Sequence, residues 1–102
     1  MQKVVEDKLV AIEALCRRYA VSRLELFGSG ARTDFDPHTS DLDFLVEFGD
    51  LTIENAADRF LGLMVDLEDL FGRRIDLVSA TAIRNPYFRQ VVDSTKVLLY
   101  AA

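Results

Sequence analysis

The chain has 102 residues, 50% of them hydrophobic and 28% charged, with only two prolines, which fits one compact domain spanning residues 1–102 and argues against disorder. A formal net charge of −5 argues against direct binding to DNA or RNA, an affinity that lysine and arginine supply by displacing counterions from phosphates. No segment approaches the roughly 20 apolar residues that cross a bilayer, and MQKVVEDKLV lacks the apolar run of a signal peptide, so a soluble, cytoplasmic protein with no membrane association is expected.

From Val4 to Tyr19 the apolar positions Val5, Leu9, Ile12, Leu15, Cys16 and Tyr19 recur every three or four residues, which predicts one amphipathic helix laid on a sheet. The lone Cys16 sits within that stripe and reads as a buried thiol. Leu24, Leu26 and Phe27, with Glu25 among them, predict a short strand that stops at Gly28. After it, Ser29-Gly30-Ala31-Arg32 combines small residues with a serine able to cap a turn, leaving backbone N–H groups to face an anion such as a triphosphate. The same letters also make an ordinary turn, and Arg32 taken alone is most simply a surface arginine. Thr33 to Ser40 is a loop rich in turn formers, in which Asp34 and Asp36 either shape the turn or join a cation site. His38 has no second histidine or cysteine at ligand spacing, which argues against zinc.

Asp41 and Asp43 open a second strand through Phe48. Alternation puts both carboxylates on one face, with Glu47 further along it, and Leu42 and Phe44 on the other. Carboxylates set side by side at a strand end call for a cation. A second helix starts at Thr52 or Glu54, runs with Ala56, Phe60, Leu63, Met64, Leu67, Leu70 and Phe71 as its apolar stripe, and ends at Gly72. Arg74 to Ser79 predicts a third strand. Asp76 within it either faces solvent on a sheet edge or joins Asp41 and Asp43, and its apolar neighbours favour the second. The tail predicts a turn at Asn85-Pro86, a helical turn or two through Phe88 to Val92, and a last strand from Val97 to Tyr100.

This order gives an α/β layer with helices covering a sheet. Three carboxylates on two strands, beside a Gly-Ser turn, are the parts that hold Mg²⁺ and nucleotide phosphates, since Mg²⁺ takes a few carboxylates together with phosphate oxygens and water. Two such ions can clamp the attacking and leaving oxygens of an in-line displacement.

Gly28-Ser29-Gly30-Ala31-Arg32, Ser40-Asp41-Leu42-Asp43 and Ile75-Asp76-Leu77-Val78 together resemble the GSxAR, SDxD and distal single-Asp motifs of the minimal nucleotidyltransferases (MNT) of the DNA polymerase β superfamily. The resemblance extends to the ending NPYFRQVVDSTKVLLYA and implies a polymerase β-like fold, a mixed sheet with helices packed on it. It further implies that Gly28 and Ser29 hold the β- and γ-phosphates of ATP, that Asp41 and Asp43 bind Mg²⁺, and that Asp76 completes the catalytic-metal site and helps deprotonate the acceptor. Arg32 would neutralise phosphate charge or brace the loop. Members of this kind are typically antitoxins that place AMP on a tyrosine of a HEPN-domain RNase toxin, which implies ATP and such a toxin as partners. Two other functions stay open from the sequence: an antitoxin that acts by occlusion alone, and a transferase acting on a small molecule.

Overall fold

The computed structural model describes residues 2–31, 41–49 and 53–102. Its elements are helices α1 (Lys3–Glu6) and α2 (Leu9–Arg18), strand β1 (Val21–Phe27), a 3₁₀ turn (Gly28–Ala31), strand β2 (Leu42–Phe48), helix α3 (Ile53–Phe71), strand β3 (Ile75–Ser79), a second 3₁₀ turn (Ala80–Ala82), helix α4 (Pro86–Thr95) and strand β4 (Val97–Ala101). The strands form one mixed sheet in the order β3-β2-β1-β4. β1 is antiparallel to both β2 and β4, while β2 and β3 are parallel, as α3 is long enough to return the chain between them.

Three differences from the sequence reading are larger than a single residue. The expected first helix is two, because Lys8 N–H reaches back three residues to the Val5 carbonyl (3.0 Å) and tightens the chain there. The apolar face survives the break: Val5, Ile12 and Cys16 are all fully buried. β1 begins at Val21, earlier than Leu24. α4 starts at Pro86, where Asn85 caps it by accepting from the Tyr87 (2.9 Å) and Phe88 (3.4 Å) N–H groups, and it runs to Thr95, well past Val92.

The two sheet faces are packed differently. Leu24, Leu26, Leu42, Phe44, Val46, Ile75 and Leu77 face α1, α2 and α3, where Val5, Ile12, Cys16, Leu63 and Leu67 complete the main core. Full burial of each such side chain contributes about 1.5–3 kcal/mol. α3 follows the predicted stripe and stops at Gly72, whose φ of +62° suits glycine. Tyr19 locks α2 to α3: its hydroxyl donates to Asp66 Oδ2 at 2.5 Å, and Arg18 reaches the same oxygen at 3.6 Å. The hydrogen bond to Asp66 raises the Tyr19 pKa first, burial second, while Arg18 opposes them. The ring fits because position 62 is glycine, where a Cβ would lie 2.7 Å from Tyr19 Cε1.

On the opposite face Phe27, Leu45 and Val92 form a smaller cluster with Val78, Ala80 and Ile83. Phe88 of α4 meets Phe27 edge to face, with ring centroids 5.9 Å apart. Glu25, 5% exposed, lies on this side too, held by Arg23 Nε at 3.3 Å and approached by Lys96 Nζ at 4.0 Å. Lys96 directly follows α4, so this charged contact helps seat the helix on the sheet.

Candidate active site

The site is built where β1, β2 and β3 end or begin together. Antiparallel register sets Phe27 against Asp43, and parallel register sets Asp43 against Asp76. Neighbouring strands are about 4.8 Å apart, so the two aspartates are adjacent residues on one face. That face is the one α4 partly covers, since the intervening Leu42, Phe44, Ile75 and Leu77 point into the main core. Asp41 stands just ahead of β2 and is exposed, Asp43 is half-buried, and Asp76 is exposed on the edge strand β3.

The edge-strand expectation for Asp76 holds, and backbone register places it beside Asp43, one of the two aspartates it was expected to join. It sits on an edge strand and also lies beside Asp43, so the burial penalty that prompted the question is not incurred. Among the described residues no three His, Cys, Asp or Glu side chains are gathered as a metal cluster. Backbone register brings two carboxylates together, with Asp41 two residues back along the chain. Mg²⁺ is commonly held by one or two carboxylates plus substrate phosphates, so this oxygen-only pair fits it.

Gly28 turns the chain out of β1 with φ +68°. A Cβ placed there would fall 2.5 Å from Asp43 Oδ2, so the position needs glycine for its backbone and for the space it leaves to the carboxylate. The Gly28 N–H donates to Thr95 Oγ1 at 3.1 Å. Ser29 and Gly30 lie in the 3₁₀ turn that follows, with their side chains outside the described set. Arg32, Asp34, Asp36 and His38 also lie outside the described residues. Thr95 was not legible from the sequence, because a threonine at a helix end carries no sign of which distant N–H it will meet.

Known proteins with the same features can now be set beside this geometry. The model of the nucleotidyltransferase domain matches residues 10–99. A Methanocaldococcus jannaschii protein, named a putative protein adenylyltransferase, is 33% identical over 92 residues, covering 90% of this chain and 80% of its own. A solved structure named, in the same guarded way, a minimal nucleotidyltransferase is 33% identical with a TM-score of 0.66, covering 91% of this chain and 90% of its own. A Shewanella oneidensis MNT antitoxin, solved with its tri-AMPylated HEPN toxin, shares the fold at 20% identity and a TM-score of 0.65, over 95% of this chain and 72% of the other.

A mixed sheet with paired strand carboxylates beside a glycine turn is thus the polymerase β-like frame of a nucleotidyltransferase enzyme. The chain belongs to the nucleotidyltransferase domain family, and its fold is that of the minimal members.

Proposed function

We propose that this nucleotidyltransferase moves AMP from Mg²⁺-ATP to a tyrosine hydroxyl of a HEPN-domain RNase toxin, releasing pyrophosphate. The observation that carries the reading is the register of Asp43 with Asp76 next to the Gly28 turn. Support comes from the adenylyltransferase name of the M. jannaschii relative and from the AMPylated toxin beside the Shewanella antitoxin.

In this reading Asp41, Asp43 and Asp76 hold one or two Mg²⁺ ions. At about 5 Å and an effective dielectric near 20, two carboxylates repel by about 3 kcal/mol, which a divalent cation offsets. Bound Mg²⁺ would supply charge neutralisation at the phosphates and at the attacking and leaving oxygens. Gly28 contributes room beside Asp43, because its own N–H is engaged by Thr95, so the β- and γ-phosphates fall to Ser29 and the following turn. Arg32 adds positive charge there. Asp76, exposed at the sheet edge, accepts the proton of the tyrosine hydroxyl and later passes it to solvent. The hydroxyl oxygen bonds to the α-phosphorus, the bond from that phosphorus to the bridging oxygen breaks, and pyrophosphate leaves with the electron pair. Among the described residues no helix is long and apolar enough to cross a membrane, and the cytoplasm is the compartment in which ATP is at hand.

A second reading, silencing of the partner by binding alone, draws on the exposed apolar residues of α4, Tyr87 (79%), Phe88 (37%) and Val91 (49%), which are enough to anchor a protein without chemistry. Intact-mass measurement of the HEPN partner after incubation with this chain and Mg²⁺-ATP separates the two. Transfer adds one or more adenylates to the partner as its RNase activity falls. Suppressed RNase at unchanged mass overturns transfer and leaves occlusion.

A further inference from the structure

We infer that Thr95 is a positioning residue for the nucleotide turn, a role that rests on the reading of Gly28-Ser29 as part of an ATP site. The hydroxyl of Thr95 has three polar neighbours, of which the Val92 carbonyl, at 3.5 Å, is the most distant. The Val91 carbonyl, one helical turn back, lies at 2.9 Å and takes the hydroxyl proton. An oxygen whose proton is so engaged turns its lone pairs elsewhere, and the Gly28 N–H sits 3.1 Å away to use one. This contact joins residues 67 apart in sequence. It ties the last residue of α4 to the first residue of the turn.

The bond acts at a sensitive place. Gly28 is in the left-handed region, φ +68°, just past the end of β1, and its part-buried N–H needs an acceptor. Thr95 satisfies it and thereby selects this conformation over extended ones. In that conformation the Gly28 Cα lies against the Asp43 carboxylate, close enough that a Cβ would overlap Oδ2. Thr95 thus sets where Ser29 begins and how the turn stands relative to Asp43, the two sides between which a metal-bound triphosphate would lie. The packing of Val92 against Phe27 and Leu45, and of Phe88 against Phe27, holds α4 on the sheet independently of the threonine hydroxyl. The loss of the hydroxyl should therefore be felt at the turn rather than throughout the fold.

The test compares Thr95→Val, which keeps the branched shape and removes the hydroxyl, with Thr95→Ser, which restores it. Three quantities are read: hydrogen exchange of the Gly28 amide without nucleotide, the dissociation constant for Mg²⁺-ATP, and thermal stability. In Thr95→Val the Gly28 amide exchanges faster and ATP binds roughly five- to tenfold more weakly, the size of effect expected for one lost hydrogen bond to a part-buried donor, while Thr95→Ser stays within about twofold of wild type. Unchanged Gly28 exchange and unchanged ATP affinity in Thr95→Val overturn the inference. So does an equal loss of affinity in Thr95→Ser, or a loss explained by unfolding alone. A wild-type protein that binds ATP yet never transfers AMP sinks the proposed transfer and leaves Thr95 to be judged on affinity and exchange. A wild type that binds no ATP overturns both.

Discussion

The two faces of the sheet are made from the same strands and do different work. The face under α2 and α3 is apolar from β3 to β1, filled by side chains such as Phe44, Leu24, Leu63 and Leu67 that leave no surface to solvent. The face under α4 is only partly covered, and it carries Asp43, Asp76 and the buried Glu25. Alternation along β2 forces this division: every step that sends Leu42, Phe44 or Val46 into the core sends Asp43 or Leu45 the other way. Stability is concentrated on one side, and the proposed phosphate and cation site lies on the other.

Substitutions on each face should therefore separate activity from stability. The largest effect is expected for Asp76→Asn, which should lower AMP transfer roughly 10²- to 10³-fold, as loss of one charge-stabilising group in a site does, while moving stability by no more than about 0.5 kcal/mol because the residue is exposed. Steady-state transfer and thermal melting read the two quantities, and some nucleotide binding should survive. Equal loss of binding and turnover would make Asp76 a ligand of the nucleotide-bound ion, with no separate part in the transfer step, or a structural residue. Leu67→Ala is the opposite case: fully buried in α3, it should cost about 2–5 kcal/mol in urea unfolding and leave transfer per folded molecule within about twofold. A Leu67 variant inactive while still folded would break the division between faces.

A smaller effect concerns pH. Burial, with Glu13 nearby, pushes the Cys16 thiol from 9.0 up to about 12, against an opposing pull from Arg17. The folded value lies above the unfolded one, so this contribution is complete below pH 9 and drains away as pH rises towards about 12. Each pH unit within that window costs up to about 1.4 kcal/mol. Urea midpoints measured from pH 8 to 10.5 should fall more steeply for wild type than for Cys16→Ala. Parallel slopes would show that the thiol is not the titrating group.

Much of this division was legible in the sequence, for identifiable reasons. The alternation of Asp41, Leu42, Asp43 and Phe44 needed no tertiary information, and neither did the stripe of α3 with its glycine stop. The buried Cys16 followed from its place between Ile12 and Tyr19. Two features were hidden, and a third was favoured by the sequence without being fixed by it. The break at Asp7–Lys8 does not interrupt the hydrophobic period, so no pattern reveals it. The reach of α4 to Thr95 depends on packing of Val92, which outweighs the poor helix propensity of Asp93, Ser94 and Thr95. The side-by-side placement of Asp43 and Asp76 is a matter of strand register, and periodicity on each strand alone does not set the offset between them.

The central claim, that the α4 side of the sheet is where metal and nucleotide bind, can be tested most directly by titrating Mn²⁺-ATP into ¹⁵N-labelled protein and following paramagnetic broadening residue by residue. The amides of Gly28, Asp43 and Asp76 are expected to broaden first and those of Ile12 and Cys16 in α2 last. Early broadening of the Ile12 and Cys16 amides, with Gly28, Asp43 and Asp76 still sharp, would place the ligand on the other face.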